Sequence, residues 1–160
     1  MKPAYQKIYD QNMADFGHLK DDQIMGLTIY AEARGEPREG KIGVGSTILE
    51  RVEHRDWDGK TIMEVCLWPY QFSCYLPSDP NRGGLLNIAQ NPRNFYPGGK
   101  TLKTLRDCVD IARWMIAGTT PKNTTALQYL NPLTAAKTKG KWLAAGMKVV
   151  MKIGNHEWFA

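Results

Sequence analysis

Only three cysteines, Cys66, Cys74 and Cys108, occur in this 160-residue chain, an odd count without CxxC spacing. That excludes a fully paired disulfide framework and a thiolate zinc site, and the three read as reduced thiols acting as small buried apolar side chains. Histidine is equally scarce. His18, His54 and His156 stand far apart, with no HxxxH or HExxH spacing, so neither a metal nor a cofactor is expected. No apolar run is long enough to cross a bilayer, and no apolar stretch follows the positive charge of Lys2 in the manner of a secretory leader. Cytoplasmic synthesis without stable membrane insertion is the expectation, with some other component releasing the protein if its target lies outside. Internal repeats, low-complexity tracts and Pro/Ser-rich linkers are missing too, which points to a single domain over residues 1–160; a monomer is the expectation. There is no dense Lys/Arg block. The net charge of +5 and the isoelectric point near 9.1 favour polyanions in general, and charge spread along the chain does not choose among nucleic acid, anionic lipid and envelope polymers.

What is present is ordinary for a soluble domain: 42% hydrophobic and 23% charged residues. Residues 4–16 suit a short amphipathic helix with Ile8 and Phe16 among its apolar positions. Asp21 and Asp22 cap a stronger one, whose stripe runs through Ile24, Leu27 and Ala31 and which Gly35 and Pro37 end. Pro37 suits the first position of the next helix. Ile42, Gly45, Ile48, Leu49 and Val52 form its inner face, and Gly43 and Gly45 allow close backbone approach. A short helix at 61–67 precedes a Pro-, Gly-, Asn- and aromatic-rich stretch, 68–100, that reads as a long functional surface loop with brief ordered pieces. In the helix expected at 101–117, Leu102, Leu105, Val109, Ala112 and Ile116 line one side. A strand at 126–130 follows, then a hairpin of 149–153 and 156–159 about a Gly154-Asn155 turn. The fold class is therefore α+β, mostly helical with a small antiparallel sheet late in the chain.

Glu32 is the leading candidate for chemistry. A general acid must keep its proton near neutral pH, and Glu32 lies in the last turn of a helix, where the dipole disfavours further negative charge, and beside an apolar stripe. Arg34, two residues on, points to another side of the helix. Gly40 to Thr47 has the gap of a phosphate-binding loop, but Ser46 replaces the lysine that such a loop needs, and packed helix glycines explain it better.

The segment Glu32-Ala33-Arg34-Gly35-Glu36-Pro37 with Glu39-Gly40, then Leu49-Glu50-Arg51-Val52, Gln71-Phe72-Ser73, Tyr129-Leu130-Asn131-Pro132 and Ile153 to Phe159, resembles the SleB/CwlJ family of cell wall hydrolases, which includes spore-cortex-lytic enzymes and phage endolysins. The resemblance covers residues 22–159 and leaves 1–20 as a helical extension. It implies a fold related to lysozyme and lytic transglycosylases, bacterial peptidoglycan as the partner, and Glu32 as the catalytic residue. Glu50 departs from the family, whose members often carry Asn there, and residues 76–100 have their own sequence.

In a glycan cleft, aromatic faces stack on sugars while amides and hydroxyls orient them. Gln71, Ser73 and Tyr75 are placed in that role, with Phe72 in the core; Glu36, Tyr129, Asn131 and His156 are the remaining candidates for substrate binding. One well-supported carboxylate favours lytic transglycosylation of the MurNAc–GlcNAc bond by a phage-type endolysin that reaches the wall through a pore. A water-using muramidase or glucosaminidase needs a second carboxylate, for which Glu36, Asp56, Asp58 and Glu157 are available. A non-catalytic glycan-binding module is the alternative of another class, and a nucleic-acid binder has only net charge in its favour.

Overall fold

Helix α2, Asp21–Ala33, is the axis of the fold, and its sequence explains why. Ile24, Met25, Leu27 and Ile29 are all 0% exposed, so the middle of the helix has no solvent side and must be surrounded. The computed structural model describes residues 2–54, 59–96 and 102–160. Around α2 stand α3 (Arg38–His54), α4 (Ile62–Leu67) and α6 (Lys103–Ile116). Lys20, not Asp21 or Asp22, takes the capping position of α2. The two carboxylates sit instead in the first turn, where unpaired backbone N–H groups favour negative charge.

The close backbone approach expected at Gly43 and Gly45 occurs at Gly26 instead. A Cβ there would lie 2.6 Å from the Val109 Cα, so α2 and α6 meet main chain to main chain. Gly43 makes room for the Trp158 indole, and Gly45 for the Met115 and Met25 side chains. In α6 the buried residues are Leu105, Cys108, Val109, Ile111, Ala112 and Met115, whereas Leu102 and Ile116 are 62% and 41% exposed. Leu102 only caps the helix, and with about 100° between successive residues Ile116 turns out beyond Met115. Pro37 stands one residue ahead of α3, its carbonyl accepting from the Gly40 and Lys41 amides at 3.0 and 3.2 Å.

Helix α1, Pro3–Phe16, is tied firmly to this core. Phe16 packs edge-on against Tyr75 at 5.0 Å, and the buried Arg82 guanidinium joins Asp15 at 2.6 Å, Asn12 at 2.8 Å and the Tyr75 carbonyl. Arg82 opens α5, Arg82–Ala89, in the stretch expected to be mostly loop. Gly83 and Gly84 lower the helical propensity of that segment, but Leu85 and Ala89 are buried and hold it in place. Short 3₁₀ turns at Ser73–Tyr75 and Pro92–Phe95 flank it.

Three strands complete the fold: β1 (Gln128–Leu130), β2 (Val149–Ile153) and β3 (His156–Phe159), antiparallel in the order β1-β3-β2. The expected hairpin is present, with Gly154 at φ +55° in its turn. The central strand β3 is buried at all four residues and lays Trp158 on α3, while Tyr129 pairs with Trp158 in the register. Between β1 and β2 lies α7, Ala136–Ala144, which the sequence reading did not anticipate. None of its residues is fully buried.

Candidate active site

The C-terminal turn of α2, the β1–β3 sheet and α7 enclose a cleft of about 570 Å³. Glu32 enters it from the helix end. Tyr129, on β1, donates its hydroxyl to Glu32 Oε2 at 3.1 Å, a contact spanning 97 residues of sequence. Burial is the main cause that pushes the Glu32 carboxyl above the usual carboxylate range. The Tyr129 hydrogen bond and the positive charge of Arg51 act against it, and Asp79 adds to it. A buried carboxyl that accepts from the Tyr129 hydroxyl and whose burial favours the neutral form has the character of a general acid.

The cation that acts on Glu32 is therefore Arg51, from α3, and not Arg34, which lies over the Tyr30 ring at 5.7 Å. Arg51 borders the cleft, with its Nε donating to the Leu127 carbonyl at 3.1 Å and its guanidinium over Phe72 at 5.1 Å. It was visible in the Leu49-Glu50-Arg51-Val52 motif, but nothing local linked it to Glu32. Its neighbour Glu50 points elsewhere, to Lys122 at 2.5 Å and His54 at 3.4 Å.

Gln71, Ser73, Asn131 and His156 all border the cleft, as does Tyr70, which is 56% exposed. Tyr70 also adopts φ 66°, a left-handed conformation uncommon outside glycine, beside the site. The Asn131 side-chain oxygen accepts from the Leu133 amide at 2.9 Å, which leaves its NH₂ group as the part able to meet a ligand. Opposite, Trp142 and Thr138 of α7 form a wall that the sequence reading missed, with Trp142 edge-on to Phe159 at 5.2 Å.

Two expected substrate-binding residues are placed elsewhere. Tyr75 is 1% exposed and its hydroxyl pairs with Thr28 Oγ1 at 2.8 Å, so it is a core residue. Phe16 and Thr28, from two other helices, cover it. Glu36 does not line the cleft. Its Oε2 accepts from the Asn155 amide at 3.1 Å and its Oε1 lies 3.6 Å from His156 Nδ1, so it holds the hairpin turn and backs His156. Burial lowers the His156 pKa, against the opposing effect of Glu36, so a neutral imidazole edge faces the cleft at neutral pH.

The other carboxylates are already engaged. Glu157 is held below the usual range by Lys139 at 2.6 Å, with Lys152 at 3.5 Å, and Asp79 accepts from the Asn81 amide at 2.8 Å. Asp56 and Asp58 lie outside the described residues. Among the described residues the grouping with metal-ligand character is Glu50, Glu53 and His54, whose carboxylates hold the Lys122 ammonium at 2.5 and 2.7 Å. The three thiols are buried, and burial pushes Cys66 and Cys108 up to about 12, far from a thiolate at neutral pH.

A spore cortex-lytic enzyme of Bacillus cereus is 28% identical over 141 residues, covering 88% of this chain and 44% of the relative. One from Oceanobacillus iheyensis is 28% identical, covering 88% of this chain and 42% of the relative. The chain thus spans less than half the length of these curated relatives. Among solved structures, the catalytic domain of the germination-specific lytic transglycosylase SleB from Bacillus anthracis superposes with a TM-score of 0.60 at 28% identity, over 90% of this chain and 98% of that one. The B. cereus SleB catalytic domain gives 0.59 at 28% identity, over 88% and 89%. The sequence profile of the cell wall hydrolases matches residues 35–159, most of the chain, and the protein belongs to that enzyme family.

Proposed function

We propose that the chain cleaves glycan strands of peptidoglycan between N-acetylmuramic acid and N-acetylglucosamine by lytic transglycosylation. Glu32 gives its proton to the glycosidic oxygen as the muramyl C1–O bond breaks. The resulting carboxylate takes the proton of the muramyl C6 hydroxyl as that oxygen bonds to C1, which closes a 1,6-anhydro ring and returns Glu32 to its acid form. The observation that carries this reading is that Glu32 is the one carboxylate bordering the cleft among the described residues. Glycoside hydrolysis normally uses two carboxyl groups at set separations, and Glu36, Glu157 and Glu50 face backbone amide or lysine partners instead. The family match begins three residues after Glu32, at residue 35, so its role is argued from the cleft and the motif around it. The names of the SleB domains support the reaction type.

Digestion in ¹⁸O-labelled water tests it. Muropeptides with anhydro ends and no label are the expected products. Label at a muramic reducing end would mean hydrolysis and would replace this mechanism; label at a glucosamine end would move the cleaved bond, and label in freed peptides would remove the glycosidase reading altogether.

We further propose an endolysin role, in which the protein reaches the wall through a pore made by another protein. Cells producing it are expected to lyse only when the membrane is permeabilised. Rapid lysis with the membrane intact would contradict that route.

A further inference from the structure

Residues 131–160 contain five of the 21 Lys/Arg and one of the 16 Asp/Glu, so these thirty residues carry +4 of the formal +5 and the rest of the chain is close to neutral. The positive charge is therefore concentrated near the C-terminus rather than spread along the chain. It belongs to α7 and the β2–β3 hairpin, beside the cleft. Lys139 and Lys152 converge on Glu157, whereas Lys137, Lys141 and Lys148 are exposed and have no carboxylate within ion-pair reach among the described residues.

The helical repeat places two of these side chains. Thr138 and Trp142, one turn apart, line the cleft. Lys137 and Lys141 immediately precede them, so at about 100° per residue they form a parallel row on one flank of the cleft-lining row. Lys139 lies on the other flank and anchors the helix to Glu157. A polymer occupying the cleft would thus pass alongside two cationic side chains one turn apart.

We propose that Lys137 and Lys141 bind the free carboxylates of stem peptides branching from a glycan strand in the cleft, so that the enzyme selects peptide-bearing strands over bare ones. The inference rests on the glycan-strand reading above. Its partner is chosen by charge complementarity and by continuity with the cleft: the sugars of a glycan strand fit the Trp142, Thr138 and Gln71 surfaces, while its anionic groups are on the peptides that project from it. Exposed lysines act as point charges whose attraction is modest and screened by salt.

The experiment compares soluble peptide-bearing strands with the same strands after enzymatic removal of their peptides and amidation of the lactyl carboxylates so exposed, using wild type, a Lys137→Gln/Lys141→Gln double variant and a Lys137→Arg/Lys141→Arg control. For wild type at low salt, kcat/KM is expected to be higher on peptide-bearing strands, the gap closing at high salt. The Gln variant is expected to lower that ratio about three- to tenfold, mainly through KM, and the Arg control to keep it. A ratio unchanged by the Gln substitutions, or unaffected by salt, would overturn the proposal while leaving the glycosidase reading intact. Failure of wild type to cleave either strand would overturn both. A wild type that treats both strands alike but sediments with anionic phospholipid vesicles, a property lost in the Gln variant, would assign the lysines to a lipid surface and reject the peptide partner.

Discussion

A Glu32→Gln variant is expected to lose wall-lysing activity by about 10²–10⁴-fold, the usual cost of removing a general acid, while melting no lower than wild type at neutral pH. The two halves of that result share one cause. Burial raises the Glu32 pKa in the folded protein, so the fold prefers the protonated carboxyl. The stability linked to this proton is fully present below the unfolded-state pKa and is lost as pH rises through the folded-state pKa. Above that point the protein carries a buried carboxylate at a cost which the Tyr129 hydrogen bond and Arg51 reduce but do not cancel. Glutamine has the same shape and no charge, so the melting temperature of the variant should gain on wild type as pH rises. Over the same range wild-type lysis should fall, because the acid form is the one that protonates the leaving oxygen. Lysis rates and melting curves from about pH 4 to pH 8 check both. Near-wild-type lysis by the purified variant would remove Glu32 from the mechanism, and a lower melting temperature at neutral pH would show that its contacts outweigh its desolvation.

What could be read in the sequence was local. The acid motif at the end of α2 and the Gly154-Asn155 turn each lie within one short segment, and the structure places both as expected. The partners of Glu32 were out of reach, because Tyr129 and Arg51 come from elements that only the tertiary fold brings to it. Tyr75 shows the same limit from the other side. An aromatic ring with a hydroxyl suits a sugar cleft and a protein core equally, and the covering residues Phe16 and Thr28 lie 59 and 47 positions away in sequence. Helix α7 was hidden for a further reason. Lys-rich 136–144 buries none of its residues fully, and Thr138 and Gly140 lower its helical propensity, so it lacks the run of buried apolar residues that marks α2 and α6.

Gly154 is where the turn and the site meet, and Gly154→Ala is expected to destabilise the protein by more than backbone strain alone. A left-handed conformation costs a residue with a Cβ about 1–2 kcal/mol, and at φ +55° Gly154 is in that region. In a chain of this size, that alone corresponds to a fall in melting temperature of about 2–8 °C. The added methyl would also stand 1.7 Å from Glu36 Oε2, so the carboxylate must leave the turn and give up its bond from the Asn155 amide. His156, next in sequence and backed by Glu36, would lose its support at the edge of the cleft, so lysis should fall along with stability. A double-mutant cycle separates the two costs. Glu36→Ala alone removes a charge-assisted hydrogen bond and should destabilise. Adding Gly154→Ala to it should then cost only the conformational strain, because no carboxylate remains to be displaced. Melting temperatures of the two single variants and the double variant, with wild type as reference, give the coupling directly. Strictly additive losses would show that the carboxylate moves aside freely, and an unchanged melting temperature for Gly154→Ala would mean that the turn does not depend on glycine.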